Sequence, residues 1–322
     1  MRILALADVH LDYYNRFNDF IKSLKQISTY AINNNVGMVI VLGDVYQRRR
    51  PYSIEKFEFE KWVKSLIDNN VEIIIIPGLK GMHEFEHDVS TISEFEALKI
   101  DGVTILPNES IITIHNSYKI FLGHLMLKEA KLGALGYGVG SDAISVEELI
   151  DRYPANLYLL GHIHKAQLVK KNPPVLYAGS IDRVTFGERN EVKGFIDINI
   201  DSTVKYKFIR LKTRKMVKIN IDKQWIELGK PSFEVKDAIV QAIIKCKREE
   251  INLFRDPEIR HALATANLVK DISFEIENVE TAKNEDINSK ISPLKAFIEY
   301  ARQERLSEEV INLGKQIIGE TK

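Results

Sequence analysis

Five short apolar runs in this chain each lead into a residue of a type that binds cations. Leu4–Ala7 leads into Asp8-Val9-His10, and Met38–Leu42 into Gly43-Asp44. Ile73–Ile76 leads through a turn into His83-Glu84. Ile120–Leu122 leads into Gly123-His124, and Leu157–Leu160 into Gly161-His162-Ile163-His164. Runs this short and this rich in Ile, Val and Leu are those of strands buried on both faces. A ligand just past the carboxyl end of each strand gathers all five groups at one sheet edge, where open α/β sheets bind their ligands. Asp and His without Cys suit a divalent cation of borderline hardness. The arrangement points to a metal-dependent hydrolase.

The 322 residues exceed what one core usually holds and predict two domains. Lys+Arg and Asp+Glu number 45 each, so any phosphate-binding surface is a local patch balanced by acid elsewhere. A single cysteine, Cys246, excludes an internal disulfide framework and fits a reducing compartment. No apolar run reaches the roughly 18 residues of a membrane span. Met1-Arg2-Ile3-Leu4 enters a strand directly, with no room for a signal peptide, so the expected location is cytoplasmic.

The first half alternates strand and helix: Arg2–Ala7, Phe17–Asn34, Met38–Leu42, Ser53–Asn69, Val71–Ile76, Ser90–Leu98 and Val103–Leu106. That βαβα order predicts a largely parallel sheet covered by helices. From Ser110 onward strands follow closely: Ser110–His115, Tyr118–Leu122, Leu157–Leu160, Val175–Tyr177, Gly194–Ile200 and Val204–Leu211. Together these predict an α/β fold, a two-layer β-sandwich flanked by helices over residues 1–212. A smaller α/β domain is expected over 213–290. It has a strand at Met216–Ile221, a helix at Ser232–Lys247 carrying Cys246, and a strand at Leu268–Ile276. Residues 277–289 have the polarity of a linker. The closing segment, 291–322, contains a long amphipathic helical region at Pro293–Ile318.

A phosphodiester resists hydrolysis near neutral pH because its anionic centre repels the nucleophile. Two divalent ions about 3.5–4 Å apart overcome this by activating a water and neutralising charge that develops on the phosphate. Holding them takes a bridging carboxylate and several neutral imidazoles. The chain offers Asp8 and Asp44 with His10, His124, His162 and His164.

The pieces Asp8-Val9-His10, Gly43-Asp44, Gly81-Met82-His83-Glu84, Gly123-His124 and Gly161-His162-Ile163-His164 occur in the order D-x-H, G-D, G-N-H-[DE], G-H, G-H-x-H. In this the chain resembles the calcineurin-like metallophosphoesterases. Three further stretches are similar to the SbcD branch of DNA double-strand-break repair nucleases. They are Gly43-Asp44-Val45-Tyr46-Gln47-Arg48-Arg49-Arg50-Pro51, Ser90-Thr91-Ile92-Ser93, and Tyr177 to Glu188 followed by Lys193-Gly194-Phe195. The resemblance covers roughly residues 1–212, and the layout of 213–290 is similar to that family's DNA-capping domain.

The resemblance implies that Asp8, His10 and His164 hold one metal, that His124 and His162 hold a second, and that Asp44 bridges them. It implies that His83 contacts the scissile phosphate or protonates the leaving oxygen. It further implies two Mn²⁺ ions, with Mg²⁺ as substitute, in a nuclease of recombination and repair. Such enzymes act as 3′→5′ exonucleases on duplex ends and as endonucleases on single strands and hairpins. A homodimer through helices Phe17–Asn34 and Ser53–Asn69 and an SbcC-type coiled-coil ATPase partner are implied as well. The closing helical segment is a candidate partner-docking element.

One motif departs from the family. Where the family has Asn before His83, this chain has Met82, or Leu79 if the motif is aligned from Pro77-Gly78. Neither supplies an oxygen, and a thioether is a poor ligand for Mn²⁺ or Mg²⁺. The second metal is therefore expected to bind more weakly than the first, and two equally tight sites in a calorimetric titration would contradict this. Arg48, Arg49, Arg50, Lys80 and Arg183 are candidate DNA contacts. A phosphate-gripping patch predicts affinity falling with salt, with a slope of about −0.9 per phosphate neutralised.

Three other readings compete. His83-Glu84-Phe85-Glu86-His87 matches H-E-x-x-H, but that zinc pattern needs a helix, and a strand and a turn precede it here. A phosphodiesterase acting on nucleotides, or a catalytically weakened DNA-binding scaffold, would share the ligand pattern.

Overall fold

The computed structural model describes all residues except 15, 81–84, 87–88, 115–116, 134–141, 202, 277–292, 304–305 and 321–322. The chain divides into two units. One is Met1–Val217 with Val235–Ile239 and Thr265–Leu268. The other is Lys218–Glu234, Val240–Ala264 and Val269–Lys322.

The first unit begins with β1 (Arg2–Ala7), α1 (Phe17–Asn33), β2 (Met38–Leu42), α2 (Ser53–Ile67) and β3 (Glu72–Ile76). Two-residue strands β4 (Phe85–Glu86) and β5 (Val89–Ser90) precede α3 (Ser93–Leu98) and β6 (Val103–Ile105). Then come β7 (Ser110–Ile114), β8 (Tyr118–His124), α4 (Val146–Arg152), β9 (Leu157–Gly161), β10 (Gln167–Lys171), β11 (Pro174–Tyr177), β12 (Gly194–Ile200) and β13 (Val204–Arg210). One sheet has the order β13-β12-β1-β2-β3-β6 and another β10-β11-β9-β8-β7. Strands β1, β2, β3 and β6 are mutually parallel, as are β8, β9 and β11. Their carboxyl ends therefore share an edge within each sheet.

Alternation along each strand builds the layers. Ile3, Ala5, Ile40, Leu42, Ile74 and Ile76 of the first sheet pack with Ile120, Leu122, Leu157 and Leu159 of the second, filling the sandwich. The intervening Leu4, Leu6, Val39, Val41, Ile73 and Ile75 face the other way, onto α1 and α2. Phe121, Tyr158 and Leu160 of the second sheet pack with Val146 and Leu149 of α4. Burial on both faces is why these strands are uninterrupted apolar runs. The architecture is the expected two-layer β-sandwich flanked by helices.

Phe59 of α2 is fully buried, with Tyr46, Trp62 and Phe95 rings 5.5–5.9 Å from its own. Phe59→Ala is expected to lower the unfolding free energy by about 3–5 kcal/mol, the cost of an aromatic-sized cavity. Urea denaturation checks this.

Arg2 of β1 holds Asp197 of β12 with two hydrogen bonds of 2.9 and 2.7 Å, and the Tyr30 hydroxyl of α1 donates to the same carboxylate at 2.7 Å. Burial alone would raise the Asp197 pKa, but the bonds from Arg2 and Tyr30 outweigh it and hold the pKa below the ordinary value. A depressed folded-state pKa contributes stability above the unfolded pKa, about 3.9 for Asp, and loses it as pH falls through the folded value. Asp197→Asn should therefore be less stable than wild type at pH 7, with the gap narrowing toward the acid limit of the fold. Denaturant titrations at both ends of that range measure it.

The second sheet system is β14 (Met216–Ile221), β15 (Ile239–Cys246) and β16 (Leu268–Ile276) in the order β14-β15-β16, with α5 (Lys223–Glu227) and α6 (Asp256–Ala262) between strands. The helix expected at Ser232–Lys247 is not formed: Ile239–Cys246 is the central strand. Val240, Ala242, Ile244 and Cys246 are buried, a period of two rather than 3.6. A short apolar run carries both periods, and the β-branched content of this one favours the strand.

The single helical region expected at Pro293–Ile318 is two helices, α7 (Pro293–Gln303) and α8 (Glu308–Glu320). Ser307 starts the second by accepting the Val310 N–H on its hydroxyl. The expected linker at 277–289 lies outside the described residues. Among those described, no helix is long and apolar enough to cross a membrane.

Candidate metal centre

Because β1 and β2 are adjacent and parallel, the chains leaving them run side by side. Asp8 N–H donates to Gly43 O (3.2 Å), His10 N–H to Asp44 O (2.9 Å) and Leu11 N–H to Val45 O (2.9 Å). Asp8 (φ 51°), His10 (49°), Asp44 (51°) and His162 (90°) all occupy the left-handed region. That conformation is uncommon for residues with a side chain, costs about 1–3 kcal/mol each, and clusters at functional sites. Gly161 is required nearby. A Cβ there would run into the Leu42 carbonyl and come within 2.7 Å of His124 Nδ1. Gly161→Ala is expected to displace His124 and weaken metal binding, which a calorimetric titration would register.

Two sets of buried donor atoms converge. Asp8, His10 and His164 form one, and Asp8, Asp44 and His124 the other, each with its donor atoms within 4.8 Å of one another. Asp44 Oδ2 stands 3.7 Å from His10 Nε2 and 3.4 Å from His124 Nε2, between the two sets. Asp8 Oδ1 is 3.9 Å from His124 Nε2 and accepts the His162 N–H at 3.1 Å. Asp8 Oδ2 is buried with no hydrogen-bond partner among the described residues. His10 Nε2 and His164 Nε2 face each other at 3.0 Å, a separation that two lone pairs tolerate only with a proton or a cation between them. The donor set therefore fits divalent cations.

The outer nitrogens set the tautomers. His124 Nδ1 is 2.8 Å from the Leu42 carbonyl, which only accepts, so Nδ1 carries the proton and Nε2 is left for the centre. His164 Nδ1 is 3.1 Å from Glu188 Oε1. Burial works to raise the Glu188 pKa, but His164 and Lys193 overcome it and hold the carboxyl well below the usual range. It is an acceptor, and His164 Nε2 faces inward. Burial likewise opposes charge on His124, yet Asp44 and Asp8 hold its pKa up at about 10, so without a cation Nε2 also holds a proton, which a bound metal would displace. His162 falls to about 4, through burial first and the neighbouring His124 second, and stays neutral.

All six expected metal ligands lie at strand carboxyl ends, but on two sheets instead of the single sheet edge expected. Asp8, His10 and Asp44 follow β1 and β2 of the first sheet, while His124 ends β8 and His162 and His164 follow β9 of the second. They are not in equal positions. His162 belongs to neither convergent set; its ring stands against that of His124 at 5.3 Å between centroids. His83, with Met82 and His87, lies outside the described residues. Arg49, Arg50 and Lys80 are exposed, and Arg50 is paired with Glu86. Arg48 pairs with Asp12.

Arg183 corrects an expectation. It is buried, and its guanidinium donates to the carbonyls of Arg189, Glu191 and Arg214 and to the Thr213 hydroxyl. It clamps this corner of the fold instead of facing a phosphate, and burial lowers its pKa.

Three contributors escaped sequence reasoning. Glu188 orients His164. Lys193, itself buried, bridges Glu188 (2.6 Å), Glu191 (2.9 Å), Ser180 Oγ (2.9 Å) and the His164 carbonyl (3.0 Å). Asn108 fixes the end of β8 by exchanging hydrogen bonds with the His124 backbone, at 2.6 and 3.0 Å. Glu188 and Lys193 both lie in the SbcD-like stretch, the one signal that marked them.

The profile of the family described as "Calcineurin-like phosphoesterase" matches residues 1–166. The chain is 24% identical over 308 residues to the DNA double-strand break repair protein Mre11 of Archaeoglobus fulgidus, covering 76% of this chain and 68% of that one. It is 22% identical over 345 residues to the SbcD component of the SbcCD nuclease of Staphylococcus epidermidis, covering 89% and 90%. A second Mre11 protein, from Sulfolobus acidocaldarius, is 22% identical over 338 residues, covering 94% and 81%. With the family profile spanning more than half of the chain and the convergent Asp and His donors at its strand ends, this protein belongs to the calcineurin-like phosphoesterase family and is a metal-dependent phosphodiesterase.

Proposed function

We propose that the protein is a DNA nuclease of the SbcD type, hydrolysing phosphodiesters with two Mn²⁺ ions, for which Mg²⁺ substitutes. The observation that carries the two-ion reading is the placement of Asp8 and Asp44 between two converging donor sets. The named relatives, a nuclease component and break-repair proteins, support DNA as the substrate.

The chain's own residues have separable tasks in this reading. Asp8, His10 and His164 would hold one ion and His124 and His162 the other, with Asp44 shared between them. When bound, the ions would neutralise charge on the phosphate and make a water more acidic. The Leu42 carbonyl and Glu188 keep the outer nitrogens of His124 and His164 protonated, so that the inner nitrogens stay available. His83 contacts the scissile phosphate or protonates the leaving oxygen. Arg48, Arg49, Arg50 and Lys80 provide positive charge beside the centre, the unit of β14–β16 caps the DNA, α1 and α2 form the homodimer contact, and the closing helices engage an SbcC-type ATPase.

The test is cleavage of end-labelled duplex, single-stranded and hairpin DNA with Mn²⁺. Wild type should cut. His83→Ala should retain metal binding and lose about 10²–10⁴-fold in rate, the usual worth of a general acid. If Asp44→Ala cuts as well as wild type, the metal assignment is wrong. Hydrolysis of a small chromogenic diester by wild type with no DNA cleavage would favour a nucleotide phosphodiesterase instead.

A further inference from the structure

Beside the metal centre sits a group of aromatic rings that metal binding does not use. Tyr13 and Tyr14 follow His10 by three and four residues, and Arg48 follows Asp44 by four. The two segments are held together: Gln47 N–H donates to Leu11 O at 3.0 Å, and Leu11 and Tyr46 form a parallel bridge. The fully buried carboxylate of Glu55 accepts the backbone N–H of Tyr13 (2.6 Å) and of Tyr52 (2.7 Å), fixing both tyrosines from beneath.

The rings pack on their edges. Tyr14 meets Tyr52 at 5.3 Å and 83°, and Tyr13 meets Tyr14 at 5.6 Å and 71°. The Arg48 guanidinium lies 4.8 Å from the Tyr52 ring centre and 5.4 Å from that of Tyr14. Tyr13, Tyr14 and Tyr52 are nevertheless 51%, 72% and 41% exposed. Each T-shaped contact covers a face of one ring, and Arg48 lies over Tyr14 and Tyr52. What stays accessible is the remaining surface of three largely exposed rings, and contiguous exposed aromatic surface marks an interaction site. Exposed aromatic rings with an interleaved guanidinium are the chemistry on which nucleobases stack, with little regard to sequence. An extended chain spans at most about 3.6 Å per residue, which places Tyr14 within about 14 Å of His10. At about 3.4 Å per nucleotide along a stacked strand, that is up to about four nucleotides from a phosphate at the metals.

We propose that the Tyr13, Tyr14, Tyr52 and Arg48 cluster is a stacking site for an unpaired nucleobase of the strand whose phosphate lies at the metal centre. The proposal rests on the nuclease reading and adds a preference within it: frayed ends or single-stranded substrate are gripped by their bases, not by phosphate alone.

The test compares binding of a fluorescent oligothymidylate with that of an abasic oligonucleotide of equal length, with Ca²⁺ in place of Mn²⁺. Wild type should favour the oligothymidylate. Tyr14→Ala should lose about 5- to 150-fold in affinity for it, the range for removing one aromatic platform, and should bind the abasic strand as wild type does. Tyr14→Phe should bind like wild type, and thermal melting of each variant shows that the fold persists. Equal affinity of wild type for the two strands overturns the stacking site and leaves the nuclease reading standing. Loss of self-association in Tyr14→Ala at unchanged oligonucleotide affinity overturns it in favour of a protein contact. A wild type that binds neither strand overturns both readings.

Discussion

Asp44→Asn is expected to reduce turnover of a phosphodiester by at least about a thousandfold, because several kcal/mol of charge stabilisation disappear and each 1.36 kcal/mol is tenfold. Asp44 faces His10 Nε2 and His124 Nε2 at once, so its loss weakens both donor sets, whereas loss of a single histidine weakens one. Differential scanning calorimetry separates this from unfolding. A ligand that binds only the folded state raises stability by about 2.7 kcal/mol at a hundredfold excess over its Kd. Wild type should show that metal-dependent rise in Tm and Asp44→Asn little of it, with both variants folded. A full metal-dependent rise in Asp44→Asn would remove Asp44 from the centre.

Lys193→Met should cost about 3–5 kcal/mol of stability, the consequence of leaving a buried charge without its partner. Lys193 and Glu188 are both fully enclosed and 2.6 Å apart, and Glu188 is also the residue that orients His164. Replacing both, as Lys193→Met with Glu188→Gln, should recover most of the lost stability, since a buried pair exchanged for neutral groups is often nearly neutral. The double variant should still bind metal about 10–100-fold more weakly, because the partner that held the His164 tautomer has changed. Denaturant titration reads the first effect and calorimetric metal titration the second. If metal affinity recovers along with stability, Glu188 only supports the fold.

Both predictions rest on groups that differ in how they announce themselves. Asp44 stands directly after an apolar run and a glycine, a pattern visible in the chain alone. Lys193 looks like any surface lysine near acidic neighbours, and only the packing of β12 against the loop after β11 encloses it. Arg183 shows the same gap from the other side. Its position in a family-like stretch suggests a DNA contact, yet its guanidinium is consumed by four backbone and hydroxyl acceptors of its own corner. Ile239–Cys246 reads as helix from its sequence because eight residues of mixed apolar character satisfy both periods, and pairing with β14 and β16 selects the strand.

The sequence by itself determined that the core strands are largely parallel and which residues stand at their carboxyl ends, because uninterrupted apolar runs mark buried strands and each run leads directly into its ligand. That two sheets share the ligands was decided by the fold. Tertiary structure alone decided which donors converge, which nitrogen of each imidazole faces inward, and which charges are buried. Those depend on left-handed turns at Asp8, His10, Asp44 and His162 and on partners far apart in the chain, such as Asp8 and His162, separated by 154 residues. Local propensity carries no information about contacts of that range. Desolvation and hydrogen bonding, which set protonation and orientation, come into being only when the two sheets close on one another.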